Sequence, residues 1–344
     1  MSLIQDVKNG TVPVPVLRAY PGDQLLGVQF PPRVPMLVRD GQVFFAAGEI
    51  GEIFSTRGTG KTLFLMTLAL AASNGRPALG FAVPEPRRVL YVDGEMARQD
   101  IQDRYRMLCD RTGMAMTDNL IIVAADWQDD FLPRLDTDVG QQAIEPFINH
   151  AELVIFDNRS CLLNPEGEKD PTAWQPTQDY LLELRRRDKA ILIAHHANRQ
   201  GGARGLGKPE DVMNMVMKLS RPEDYQAEEG ARFICDCSPP DGKLRSVYGS
   251  AAIPFAVRLT ENGWLMESAG ADASSVAIRK AILEYLDLAD NADDRPKSAN
   301  AVLTKVGGNR RKGLAIWGEM LKSGEIAGDK KNGYKPGIVI QPPF

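Results

Sequence analysis

The sequence predicts an α/β fold in which helices cover both faces of a mostly parallel sheet, with a smaller helical module ending in a hairpin behind it. Three observations lead there. Between about residues 40 and 265, short β-branched or apolar runs alternate with longer stretches of helical periodicity, the pattern of repeated strand and crossover-helix units. Several of the runs, such as Leu153-Val154-Ile155-Phe156, are apolar at consecutive positions, as expected of strands covered on both sides. A small, polar stretch from Glu267 to Ser275 then separates this body from a tail of different charge.

Taken in order, residues 1–30 are rich in Pro, Val and Gly without clear periodicity and are expected to form an extended arm. The body, residues 31–268, has expected strands at 49–55, 88–93, 120–124, 153–157, 190–194, 213–219, 232–237, 255–259 and 264–267, with helices at 61–74, 97–112, 140–150 and 172–188 between them. The third region, residues 275–344, reads as a helix (276–288), an acidic loop (290–294), a short helix (298–306), the turn Gly307-Gly308-Asn309, a further helix (310–323), and two β-like pieces around Asp329-Lys330-Lys331-Asn332-Gly333. Helix, helix, tight turn, helix and hairpin is the order of a winged helix-turn-helix, and this region is expected to be a winged-helix DNA-binding domain.

Composition excludes several classes. The chain has 344 residues, 43% hydrophobic and 25% charged, an ordinary globular mixture. Its longest apolar window, from Leu63 to Ala72, is about half of what a membrane-spanning helix needs, and no secretory signal is visible at the start, so a cytoplasmic protein without a membrane partner is expected. Four scattered cysteines do not make a disulfide framework, and the near pair Cys235 and Cys237 lacks a second ligand pair for zinc and reads as strand residues. The net charge of −4 is unevenly spread: residues 1–274 carry 29 basic and 37 acidic side chains, residues 275–344 carry 12 and 8. A mildly acidic body with a basic tail suggests a nucleic-acid-facing module.

The most specific motif is Ser55-Thr56-Arg57-Gly58-Thr59-Gly60-Lys61-Thr62, placed between an expected strand and an expected helix, which is the context of a Walker A phosphate loop. Arg57, Gly58, Thr59, Gly60, Lys61 and Thr62 would cradle the phosphates of ATP: backbone N–H groups form an anion nest, the helix N-terminus faces the phosphates, Lys61 neutralises β and γ oxygens, and the Thr62 hydroxyl ligates Mg²⁺. Ser55 stands where the motif has its first glycine, the least demanding position. Phosphoryl transfer also needs a Mg²⁺-associated carboxylate and a group that activates water, at strand C-termini near the loop. Asp157 ends one apolar strand and is assigned to the Mg²⁺ shell; Glu95, in Asp93-Gly94-Glu95 after another, is assigned to the water. The plain alternative for each is a loop carboxylate at a helix N-terminus. His195 and His196, two of the three histidines, directly follow the strand at 190–194 and are candidates for sensing the terminal phosphate, although a single histidine there would more often be structural. The Gly-rich segment after them, with Arg199 and Arg204, is either a nucleotide-responsive element or a surface connection.

In this order the motifs resemble the RecA-like P-loop ATPases and, within them, the RepA-type hexameric replicative helicases and related phage and mobile-element AAA-family ATPases, over about residues 40–260. The resemblance implies that Glu95 is the catalytic base, that Asp157 is the Walker B aspartate, and that His195 and His196, with His196 in the catalytic set, link the nucleotide site to a channel for single-stranded DNA. It also implies a homo-oligomeric ring, typically a hexamer, in which a neighbour supplies an arginine finger. The strands at 213–217 and 233–237 carry no arginine of that kind; the nearest candidates are Arg204, Lys218, Arg221, Lys243 and Arg245. Loss of a finger lowers the rate by orders of magnitude, so an ATP-switched DNA-binding regulator with slow hydrolysis stands beside the motor reading.

In the tail, Asn309, Arg310, Arg311 and Lys312 open the second helix of the expected helix-turn-helix, while Lys330, Lys331 and Lys335 decorate its wing. Basic groups in those places can meet phosphates and a groove edge together, so duplex DNA is an expected partner there; a solvated basic face or a protein-contact module is the alternative. The triplet Arg185-Arg186-Arg187 reads as a solvated or subunit-facing surface.

Overall fold

Asp40 and Gly41, both at positive φ (46° and 73°), turn the chain between two short strands, Pro35–Arg39 (β1) and Gln42–Ala46 (β2), which pair antiparallel ahead of the main sheet. An Asp-Gly pair between apolar runs is a strong hairpin signal, yet the sequence reading begins its strands only at residue 49. The structure is a computed structural model of the chain. It describes residues 17–163, 171–197, 212–222, 224–238, 242–245, 247–267, 273–291, 294–306, 310–323, 325–329 and 331–337. Residues Met1–Val34 form a unit of their own. Its described part is not wholly extended, since Gly22–Leu25 (α1) makes one helical turn and Tyr20 meets Phe30 edge to face at 6.1 Å.

The main sheet is built on Ile50–Ser55 (β3), buried along its whole length. Lys61–Asn74 (α2) follows, then Val89–Asp93 (β4), Arg98–Thr112 (α3), Leu120–Ala124 (β5), Asp138–His150 (α4), Leu153–Asp157 (β6), Arg159–Leu162 (α5), Pro171–Arg186 (α6) and Ala190–His196 (β7). Met215–Ser220 (β8), Arg232–Asp236 (β9), Lys243–Leu244 (β10), Phe255–Thr260 (β11) and Gly263–Glu267 (β12) complete it. The order is β12-β11-β9-β8-β3-β7-β6-β4-β5, with β10 beside β8. Strands β8 through β5 in that order are parallel and β9, β11 and β12 are antiparallel, a mostly parallel sheet with an antiparallel extension.

Strand alternation sorts the core into two layers. Ile53, Tyr91, Ile155 and Leu192 face α2 and α3, whereas Ile50, Phe54, Leu90, Val92, Val154, Phe156, Ile191 and Ile193 face α4 and α6. Helix α2 is buried at every position from Phe64 to Ser73, so its sequence is apolar all round rather than on one stripe. It stops at Gly75, at φ 62°, whose N–H closes onto Ala71 and Ala72. Helix α4 starts two residues earlier than expected because the Thr137 hydroxyl accepts from the Gly140 N–H (3.2 Å). Strand β7 runs two residues further than expected, through both histidines, because Phe54 and Ser55 continue to pair with His195 and His196.

The remaining residues form Ala273–Asn291 (α7), Ala299–Val306 (α8), Arg310–Ser323 (α9) and the antiparallel hairpin of Ile326–Asp329 (β13) with Gly333–Pro336 (β14). They have a core of their own, with Ile278, Ile282 and Leu286 packed on Val302, Leu303, Ile316, Trp317, Met320 and Ile326. The Asp329 carboxylate accepts from the N–H groups of Lys331 and Asn332, both at 2.7 Å, and Gly333 turns the chain at φ 78°. Cys235 is buried on β9, as a strand residue should be; in the arginine triplet Arg186 is exposed, while Arg187, partly exposed, ties the end of α6 to α4 through Glu145 (2.7 Å). Among the described residues no helix is long and apolar enough to cross a membrane.

Candidate active site

The loop between β3 and α2 turns on two glycines with positive φ, Gly58 (76°) and Gly60 (114°). Gly60 lies so close to the Phe233 ring that a Cβ there would sit 2.9 Å from two ring carbons. Both positions therefore need glycine, one for backbone angle and one for angle and space. Inside the turn, the Thr56 and Thr59 hydroxyls meet at 2.9 Å and the Thr59 hydroxyl donates to the Thr56 carbonyl. Arg57 is exposed on the loop beside Lys61.

Lys61, the first residue of α2, is buried and reaches back along the loop. Its ammonium donates to the Ser55 carbonyl (3.2 Å), the Ser55 hydroxyl (3.1 Å) and Nδ1 of His196 (3.1 Å). The serine in place of the motif's first glycine thus supplies a hydroxyl that holds the lysine, a role that motif comparison does not suggest. Burial lowers the Lys61 pKa to about 8 against the pull of Asp157 and Glu95. His196 is lowered to about 4 by burial and by the Lys61 charge, so its ring is neutral. With Nδ1 accepting from Lys61, the ring proton sits on Nε2, which lies 3.5 Å from the Asn158 amide nitrogen, itself a donor, so the two make no hydrogen bond in this tautomer.

Across the cleft, the C-terminal ends of β4 and β6 bring carboxylates to the same face as α2. Asp157 is buried and accepts from the Tyr91 hydroxyl (2.7 Å) and from Thr62. Desolvation, with Asp93 nearby, raises its pKa to about 6 despite those bonds. Asp93 is also pushed up by burial; its Oδ1 accepts from the N–H groups of Glu95 (2.9 Å) and Met96 (2.7 Å), shaping the loop that presents Glu95. The Glu95 carboxylate accepts a short hydrogen bond from the Asn158 amide, whose own carbonyl oxygen caps α5 at the Ser160 N–H (3.1 Å).

These groups line one cleft of about 410 Å³ with Gly58, Gly60, Lys61, Thr62, Asp93, Glu95, Asp157, Asn158 and His196 on its walls. The donor set fits a nucleotide with Mg²⁺: glycine backbone and a lysine for phosphates, and a hydroxyl beside a buried carboxylate for the cation. Among the described residues no group of three or more His, Cys, Asp or Glu side chains could hold a metal alone. Arg104 of α3 also lines the cleft and was not singled out from sequence; the cue was an arginine on the helix after the Glu95 loop.

His195 does not join this site. Adjacent strand residues face opposite sides, so with β7 continuing through both histidines only His196 meets the cleft. His195 is buried on the α4 and α6 face, with Nδ1 3.2 Å from Glu52 Oε1. Glu52 lies 3.6 Å from the Arg159 guanidinium, which stacks on the Trp174 ring at 4.1 Å. The sensing assignment for His195 is therefore corrected to a buried polar network, and Glu52, Arg159 and Trp174 had no motif to reveal them.

Of the finger candidates, Arg221 bonds to the chain's own loop at the Gly58 carbonyl (3.2 Å), while Arg204 lies outside the described residues. In the tail, Arg310 opens α9 and is exposed, as are Lys331 and Lys335 on the hairpin. Asn309 and Lys330, with the side chains of Arg311 and Lys312, lie outside the described residues.

A family model described as an AAA domain matches residues 22–202, more than half of the 344-residue chain. Among solved structures the chain is similar to a KaiC-like protein from the hyperthermophilic archaeon Pyrococcus horikoshii, with 14% sequence identity and a TM-score of 0.48, covering 69% of this chain and 99% of that one. A search of curated proteins finds no match.

Proposed function

Because the chain belongs to the AAA domain family of P-loop ATPases, we propose that it hydrolyses ATP in the cleft around Lys61 and couples hydrolysis to DNA, in the manner of RepA-type plasmid or phage replicative helicases. The observation that carries the hydrolytic part is the convergence of Lys61, Thr62, Asp157, Glu95, Asn158 and His196 on one cleft. Lys61 and the Gly58 to Gly60 backbone hold the phosphates; Thr62 and Asp157 hold Mg²⁺. When bound, Mg²⁺ supplies positive charge to the phosphate oxygens. Glu95, fixed by Asn158, aligns the attacking water and takes its proton, and the Nε2–H of His196 donates toward the terminal phosphate.

Separate support for DNA comes from the three helices and hairpin after residue 273, with their own core and a net excess of basic side chains. They form a winged helix that meets duplex phosphates through Arg310, Arg311, Lys312, Lys330 and Lys331, while a homo-oligomeric ring, a hexamer in this reading, takes single-stranded DNA in its channel. One observation favours a second reading, an ATP-switched DNA-binding regulator: Arg221 is engaged on its own loop rather than extended toward a neighbour. Steady-state turnover with and without single-stranded DNA, beside Lys61→Ala and Glu95→Gln, separates the two. Turnover raised severalfold by DNA and lost by about 100-fold in both variants supports the motor. Tight ATP binding with negligible turnover in every arm, together with sequence-selective duplex binding, supports the switch, and a monomer in size exclusion with and without ATP removes the ring.

A further inference from the structure

The segment from the end of β8 through β9 does more than widen the sheet, because two of its residues grip the phosphate loop. Arg221, just after β8, donates through one guanidinium nitrogen to the Gly58 carbonyl (3.2 Å) and through the other to the Gly230 carbonyl (2.9 Å). Its guanidinium lies over Tyr225, 3.8 Å from the ring centroid, and the Tyr225 hydroxyl donates to the same Gly230 carbonyl (2.9 Å). From β9, Phe233 fills the space that a Cβ on Gly60 would take, and is itself backed by Phe64 and Trp264 at 6.1 and 5.8 Å. The segment carrying Arg221 and Tyr225 is braced in turn by Arg232, which pairs with Asp224 (3.2 Å), Glu229 (3.2 Å) and Glu267 (2.8 Å).

We propose that Arg221 is a positioning residue of the nucleotide site, acting on its own chain: by holding the Gly58 carbonyl outward it fixes the Gly58–Thr59 peptide plane, and so the phosphate-binding face of the loop. In a trans peptide the N–H opposes the C=O. Anchoring the oxygen on Arg221 therefore keeps the Thr59 N–H on the inner side of the turn, where it rests on the Thr56 carbonyl at a long 3.4 Å and is readily surrendered to an anion. The guanidinium is suited to this because its planar fork serves two carbonyls while one face stacks on an aromatic ring, which an ammonium cannot do. The Thr59 amide belongs to the anion nest that either nucleotide would meet, so its positioning by Arg221 applies to ADP and ATP alike.

The inference rests on the ATPase reading for its functional consequence, and two measurements keep the two apart. In the nucleotide-free protein, hydrogen exchange of the amides at residues 58–60 is compared between wild type, Arg221→Ala and Arg221→Lys. Binding of a fluorescent ADP and the kcat and KM for ATP are measured on the same proteins. The expected result is faster exchange confined to the loop in Arg221→Ala, affinity for ADP and KM for ATP both weakened about tenfold, kcat falling less than KM rises, and an intermediate Arg221→Lys. Unchanged exchange overturns the proposal. So does unchanged ADP binding with a collapse of kcat, which is the signature of an arginine working on a neighbour's terminal phosphate. If wild type binds no nucleotide while exchange responds as expected, the ATPase reading fails and the clamp stands.

Discussion

The Lys61 ammonium and the His196 imidazole share a 3.1 Å hydrogen bond in which the lysine donates to Nδ1. That bond ties the loop after β3 to the end of β7 and decides which ring nitrogen keeps its proton. It also means that the two groups oppose each other's charge, and that a phosphate entering the cleft meets a lysine already partly neutralised by burial.

A proton uptake on nucleotide binding follows. Lys61 has a pKa of about 8 in the free protein, and phosphate oxygens raise it, so at pH 8.5 binding takes up about three-quarters of a proton, less as the pH falls toward 7. Titration calorimetry of ADP in two buffers of different ionisation enthalpy measures it. Equal enthalpies in both buffers at pH 8.5 would contradict the assignment. His196, at about 4, contributes nothing in this range.

Glu95 and its partner act as a unit, which separates chemistry from binding. Glu95→Gln lowers turnover by about 100-fold or more, and Asn158→Ala, which frees the carboxylate without removing it, lowers it by about tenfold. Both leave ADP affinity within about threefold, since neither touches the loop that holds the phosphates. Single-turnover rates beside ADP binding test this, and a loss of affinity matching the loss of rate argues against it.

Asp157 is a cost to the free fold. Its carboxyl is raised from 3.8 to about 6, so the folded protein binds that proton more tightly than the unfolded chain does. Stability from this group is unimpaired below about pH 4, declines as pH rises toward 6, and stays lower above it, by about 2 to 3 kcal/mol. Asp157→Asn is therefore expected to raise the unfolding free energy at pH 7.5 without nucleotide or Mg²⁺, by about that amount, and to lose the gain at pH 4. Urea unfolding at the two pH values is the measurement. The same variant loses ATPase activity.

His195→Ala behaves in the opposite way. It empties a buried site against Glu52 and leaves the Glu52–Arg159 pair under-supported, at a cost of about 2 to 4 kcal/mol in stability. Its kcat and KM at 25 °C stay within about threefold of wild type. A fall in kcat without loss of stability would restore the sensing role.

Much of this was legible early because its signals are local. Gly58, Gly60, Lys61 and Thr62 sit in one eight-residue motif, and the strand ending at Asp157 is an unbroken apolar run, which the structure reproduces at 153–157. The hairpin at Asp40-Gly41 is equally local, a turn pair between two apolar runs, although the expected strands begin only at residue 49. Tyr91 and Asn158 carry no signal of their own, since each owes its role to a residue more than 60 positions away, and Arg221, a finger candidate by sequence, owes its observed contact to Gly58 on another element.

The sequence by itself determined that a phosphate loop joins a strand to a helix, that the sheet is mostly parallel and doubly covered, and that acidic groups end neighbouring strands, because backbone propensity, hydrophobic period and glycine chemistry act over a few residues. Only the tertiary structure decided which of two adjacent histidines faces the cleft. That turns on the pairing of His196 with Ser55, which carries β7 two residues beyond its apolar run. A strand's alternation then sends one imidazole to Lys61 and the other into the core, and no property of the His-His pair itself distinguishes them.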